Sequence, residues 1–170
     1  MDLGPDNSSL VVKTYREGVA AKVGHDLVIE VERWQATVDL DAGTVELTAD
    51  ARSLAVREGV RGVKPLSDKD RGEIRKNIDA KVLGGQPIAF RSGSARVDGG
   101  RLTVDGELTM AGSTRPLTAS LDVDDDGRVH GTIPLTQSDW GIKPYRGLMG
   151  ALKVRDALEI VIDARPPARV

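Results

Sequence analysis

Apolar and polar residues alternate with a period of two through most of this chain, the pattern of a strand with one face buried and one solvated. Leu102, Val104, Leu108 and Met110 share one parity, with Thr103, Asp105, Glu107 and Thr109 on the other. The pattern returns in Leu117, Ala119, Leu121 and Val123, and in Val129, Ile133 and Leu135. Leu158, Ile160, Ile162 and Ala164 close the series, and Val45, Leu47, Ala49 and Ala51 form an earlier member. One apolar and one polar face predict antiparallel strands rather than a parallel sheet buried on both sides. Turn residues separate the runs: Asp41-Ala42-Gly43, Asp98-Gly99-Gly100 and Asp125-Asp126-Gly127 predict hairpins.

Two runs switch parity midway. Leu27, Ile29 and Val31 are odd, whereas Trp34, Ala36, Val38 and Leu40 are even; Ile88 and Phe90 give way to Ala95 and Val97. An extra residue at each switch restores a common inward face, which predicts β-bulges near Glu32-Arg33 and between Phe90 and Ala95. Bulges bend strands, and bent strands curl a sheet. With the run Leu10 to Tyr15 the chain predicts an all-β fold of about eight antiparallel strands, a number that closes into a barrel holding one small ligand. One helix interrupts them. Ser67 stands as an N-cap with Asp70 three positions on, Ile74, Ile78 and Val82 form a narrow apolar stripe, and Gly84-Gly85 stop it. So narrow a stripe predicts a helix lying on the barrel or across its mouth. The stretches Ala55–Leu66 and Asp139–Asp156 read as irregular loops.

The 170 residues fit one domain, 1–170, with no repeat and no linker inside it. Net charge is −2 with acids and bases interleaved, so no basic stripe is present to track nucleic-acid phosphates, and charge order along the chain does not mark a membrane surface. Absence of cysteine removes disulfides, thiolate chemistry and Cys-ligated zinc, and two histidines alone argue against a histidine metal site. The opening Met1-Asp2-Leu3-Gly4-Pro5-Asp6 has neither a basic region nor an apolar run, which gives a cytoplasmic expectation. Nucleophile elbows, phosphate-binding glycine loops and zinc-helix motifs are all missing, so neither a catalytic residue nor a cofactor is expected. Asp122-Val123-Asp124-Asp125-Asp126-Gly127 imitates the start of a calcium loop, but its twelfth position is Ile133 and strands flank it; it reads as a turn.

Three segments carry a family resemblance. Leu108-Thr109-Met110-Ala111-Gly112-Ser113-Thr114-Arg115-Pro116-Leu117 resembles the strand–turn–strand signature of the YceI-like, polyisoprenoid-binding proteins. Ser67-Asp68-Lys69-Asp70-Arg71 followed by Gln86-Pro87-Ile88-Ala89-Phe90 resembles the family's acidic helix start and Pro-x-x-Phe segment, and Ser138-Asp139-Trp140-Gly141-Ile142 its aromatic-glycine segment. The family's Asp-Arg before that last segment reads Thr136-Gln137 here. The resemblance runs from about Leu10 to Asp163 and implies a lipocalin-like, eight-stranded antiparallel barrel whose apolar interior holds an isoprenoid or fatty-acyl chain.

Only five aromatics are present (Tyr15, Trp34, Phe90, Trp140 and Tyr145), and inward positions read Leu, Val, Ile, Ala and Gly, including Gly106 and Gly131. Small interior side chains leave either a hollow that a ligand fills or a barrel flattened into a sandwich, since an empty void costs about 24 cal/mol per Å3. Residues expected around a ligand are Ile29, Trp34, Val38, Leu47 and Ala49 from the first half, and Phe90, Leu108, Leu121 and Ile133 from the second. Ile74 and Ile78 of the helix either join them or pack on the sheet. Trp140, Tyr145, Leu148, Met149 and Leu152 gather apolar bulk on a glycine-rich loop, as a lid touching a membrane transiently or as a plug. His25 either orients a head group or caps a turn, and His130 falls on the polar parity. The leading reading is therefore a carrier or store for an apolar ligand. Two others stand beside it: an enzyme with His25 and Asp26 as an acid–base pair in the cavity, and an interaction module using the 139–156 loop. Homodimerisation through a barrel edge or that loop is left open.

Overall fold

The computed structural model describes residues 1–147 and 152–166, with only the backbone place of Leu152. Its strands are β1 (Asp2–Leu3), β2 (Ser8–Thr14), β3 (Arg16–Glu17), β4 (Asp26–Val31), β5 (Trp34–Asp39), β6 (Thr44–Ala49) and β7 (Leu54–Val60). After a helix α1 (Asp68–Asn77) come β8 (Ile88–Asp98), β9 (Arg101–Met110), β10 (Ser113–Val123), β11 (Val129–Thr136), β12 (Arg146–Gly147), β13 (Leu152–Val154) and β14 (Ala157–Ala164). Among the described residues, eleven strands form one curled antiparallel sheet, a half-barrel, in the order β1-β5-β6-β8-β9-β10-β11-β14-β2-β4-β7. Three short strands form a second sheet, β12-β13-β3.

The count of about eight therefore needs correcting, for local reasons. The parity switch at Glu32-Arg33 is a corner rather than a bulge: β4 and β5 flank it in sequence yet lie near opposite ends of the sheet. The chain makes the same passage from β6 to β7 through Asp50–Ser53. Two residues span only about 7 Å, so the sheet must curl until β4 and β5 come together at this corner. Backbone bonds fasten the corner, Glu32 N–H to Ser53 O (2.8 Å) and Asp50 N–H to Arg33 O (2.9 Å). The fully buried Ser53 hydroxyl accepts from Arg33 N–H at 3.0 Å and donates to Asp50 O at 2.8 Å. The stretch read as the loop Ala55–Leu66 begins inside β7, whose alternation is spoiled by a bulge that leaves Arg57 unpaired between Val56 and Glu58. The second parity switch is a bulge as expected, with Gly93 left over between Ser92 and Ser94 against β9.

Turn chemistry sets the hairpins. Gly99 and Gly100, both at positive φ, join β8 to β9, and Gly112 follows Ala111 at φ 50° between β9 and β10. Helix α1 starts at Ser67, whose hydroxyl accepts from Asp70 N–H while the Asp70 carboxylate accepts from Ser67 N–H, a reciprocal cap. Its last turn widens over Ile78–Val82, with Leu83 N–H reaching Ile78 O at 2.9 Å, before Gly84 and Gly85 turn away at positive φ. No α1 side chain is fully buried, yet Ile74, Ile78 and Val82 pack against the core cluster of Ile29, Val31, Trp34 and Leu54.

Candidate functional site

Inside the curl lies a cavity of about 370 Å3. Strands line it with the residues of one parity: Leu10 and Val12 of β2, Leu47 and Ala49 of β6, Val104 and Leu108 of β9, Ile160 and Ile162 of β14. Helix α1 contributes Ile74 and Asn77, and the turn after it Ile78 and Val82. No charged side chain lines the cavity among the described residues. A concave, apolar-walled space is the ordinary form of a small-molecule site.

Polar lining groups are few, and Thr14, Gln137 and Tyr145 gather at one end. The lining residues that carry a polar side-chain group are Thr14, Asn77, Gln137 and Tyr145, with Trp34 adding an indole N–H. Thr14 closes β2 and Gln137 follows β11, strands that run to the same end; Val154 N–H bonds Tyr145 O at 3.0 Å, and Lys81, one turn beyond Asn77, holds its ammonium 5.8 Å from the Tyr145 ring centre. Gln137 is buried, and its amide donates to Arg155 O at 3.1 Å. Beside it the Tyr15 phenol donates to Glu159, whose carboxylate holds the Tyr15 hydroxyl above its usual pKa. The opposite end, where Leu40, Val129 and Ala164 stand, is aliphatic.

Of the residues expected around a ligand, Ile29, Trp34, Val38, Leu47, Ala49, Ile74, Ile78, Phe90, Leu108, Leu121, Ile133 and Tyr145 all line this one space. Trp140 does not: it is buried beneath the polar end among Leu108, Met110, Leu135 and Ile142, its indole N–H on Leu108 O at 2.8 Å, and Ile142 lines the cavity in its place. Leu148 and Met149, and the side chain of Leu152, lie outside the described residues. His25 also stands apart. Its imidazole rests against Lys64 O and over Gly62, while the buried Asp26 accepts from Arg16 N–H at 2.8 Å and pairs with Arg61 at 3.5 Å. Both fasten the 61–66 loop to the start of β4, and neither faces the cavity, so the acid–base reading loses its geometry. His130 meets Asp124 at 3.1 Å on the outer side of the β10–β11 hairpin.

Sequence reasoning missed Leu158, Ile160 and Ile162 as lining residues, although their alternation marked them as inward. It missed Thr14, Asn77 and Gln137 because single polar residues at strand and helix ends carry no periodic signal. The expected inward glycines leave no empty space. A Cβ on Gly106 would meet the Phe90 ring at 2.6 Å, and one on Gly131 the Leu121 side chain at 2.9 Å, so each glycine admits a larger neighbour.

Among curated proteins none matches the sequence. Solved structures do resemble the fold: Burkholderia cenocepacia BcnA superposes with a TM-score of 0.67 at 16% identity, over 92% of this chain and 94% of that one. A Campylobacter jejuni YceI protein gives 0.55 at 12% identity, over 82% and 84%. At these identities the likeness is one of fold. The YceI-like domain, as a family model, matches residues 3–165. The curled sheet with helix α1 and that match across almost the whole sequence make this chain a member of the YceI-like family.

Proposed function

We propose that the protein binds, stores or carries a lipid-like molecule whose apolar chain, isoprenoid or fatty-acyl, occupies the cavity. The observation that carries this reading is an apolar-walled space of about 370 Å3 with no charged side chain lining it among the described residues. At about 30 Å3 per methylene-sized group that space holds roughly a dozen, each contributing about 0.8 kcal/mol when taken from water. That gross energy of about 10 kcal/mol exceeds the lower estimates, about 4 kcal/mol, of the freedom lost on association. The polar end supports a head group near Thr14, Asn77, Gln137 and Tyr145 that is uncharged, for example a hydroxyl or a carbonyl. A phosphate or carboxylate drawn down among those groups would leave the surface cations behind and lose its water, with no charged side chain lining the cavity among the described residues to replace it, a cost of several kcal/mol. Membership of a family of binding domains agrees with a carrier rather than a catalyst.

Native mass spectrometry of the purified protein, followed by organic extraction, tests this directly. Retained apolar mass, and uptake of a prenyl alcohol in preference to the matching prenyl diphosphate, are the expected results. Protein that carries no lipid and takes up neither compound from detergent dispersion would sink the proposal.

A further inference from the structure

Loops that are far apart in sequence converge on the polar end of the cavity. Strand β13 pairs with both β12 and β3, Arg16 donates to Gly24 O at 2.9 Å and to Arg61 O, His25 reaches Lys64 O, and Arg155 N–H bonds Tyr15 O at 2.7 Å. Residues 16–26, 60–64, 143–147 and 153–156 thus form one surface, and Tyr145 on it opens to the cavity.

That surface is strongly basic. Its two loops bring Arg16, Lys22, Arg61 and Lys64, and the small sheet with its flanks brings Lys143, Arg146, Lys153 and Arg155. Against these eight stand Glu17, Asp26 and Asp156, a balance of +5 on a chain whose total is −2; the remainder carries −7. Asp26 is buried, and Asp156 is occupied by the Ser138 hydroxyl at 2.5 Å and by Ser138 N–H at 2.8 Å. Charge that looks interleaved along the sequence is segregated in space. The same surface also holds most of the large apolar side chains left in solvent: Val19 is 96% exposed, Val63 70% and Val23 55%, with Val60 and Tyr145 beside them. Apolar tips within a cationic field, around the opening of an apolar cavity, complement a negatively charged bilayer: cations meet head groups while valines enter the acyl boundary.

We infer that this end of the molecule docks on an anionic lipid bilayer, with the cavity opening turned toward the membrane from which the chain of a ligand enters. The inference rests on the lipid-binding reading of the cavity but, Tyr145 apart, is argued from charged and apolar residues that do not line it. Flotation with vesicles of phosphatidylcholine, with and without roughly a third phosphatidylglycerol, tests it. The protein is expected on the anionic vesicles and absent from neutral ones, with binding that weakens as salt rises. The combined Lys22→Glu, Lys64→Glu, Lys143→Glu and Lys153→Glu protein should bind at least about tenfold more weakly. Gln at the same four positions, which keeps the fold's own ion pairs and removes only four cations, should weaken binding in the same direction. Val19→Ser with Val63→Ser should weaken it without abolishing the preference for anionic vesicles. Equal partition onto neutral and anionic vesicles, no binding to either, or unchanged binding by both four-site variants would overturn the inference. Uptake of a prenyl alcohol from vesicle-free solution is measured alongside. A protein that docks but takes up nothing breaks the cavity reading, whereas one that takes it up without preferring anionic vesicles breaks the docking inference alone.

Discussion

Ala49→Phe puts a ring into the cavity from the end of β6, where Ala49 lies between Trp34 and Ile88. A benzene-sized ring occupies a cavity of about 150 Å3, so some two-fifths of the 370 Å3 would be taken. A bound chain then loses room for roughly five methylenes, about 4 kcal/mol, or close to a thousandfold in affinity. Stability of the unliganded protein should move the other way. Filling 150 Å3 of void recovers up to about 3.5 kcal/mol at 24 cal/mol per Å3, less whatever strain the ring introduces. A packed centre would instead respond with an overpacking loss of about 1–3 kcal/mol. Fluorescence titration with a prenyl alcohol measures the first quantity and urea unfolding of delipidated protein the second. Unchanged affinity, or a stability loss of about 2 kcal/mol or more, would refute the hollow-centre argument.

Two further outcomes follow from the fold. Gly106→Ala should destabilise by about 1–3 kcal/mol in urea unfolding, because the added methyl meets the paired β8 backbone at Arg91 O and Ser92 Cα, which has no room to retreat. Arg128 bonds both Asp163 oxygens at 2.9 and 2.8 Å and holds that carboxyl below its ordinary pKa. A carboxyl depressed in the fold contributes stability above its unfolded value near pH 4 and loses it as pH falls through the lower folded value. Asp163→Asn should therefore flatten the acid limb of a stability–pH curve while lowering stability at neutral pH; an unaltered acid limb would remove the ion pair from the account.

Strands were legible wherever one face was continuously apolar, as in β9, β10, β11 and β14. The corner at Glu32-Arg33 announced itself only as a change of parity, and parity cannot tell a bulge from a strand crossing between the ends of a sheet. Strand β7 was hidden by its bulge at Arg57 and by Glu58, and the two- and three-residue strands β3, β12 and β13 are too short to show any period. The candidate site was legible in its walls and not in its ends. Inward alternation names Leu47, Leu121 and Ile133, but only the folded chain brings Thr14, Asn77 and Gln137 together, or separates Trp140 by placing it under Ile142. The basic face is the extreme case, since Lys22, Lys64, Lys143 and Lys153 become neighbours only through strand pairing and loop contacts.

Helix α1 has a firm start at Ser67 but not one fully buried side chain, and the stripe beneath it looks into open space. On the proposed carrier reading, a ligand filling that space completes the floor on which the helix stands. Helix order would then report, on the outside of the molecule, whether the cavity is loaded.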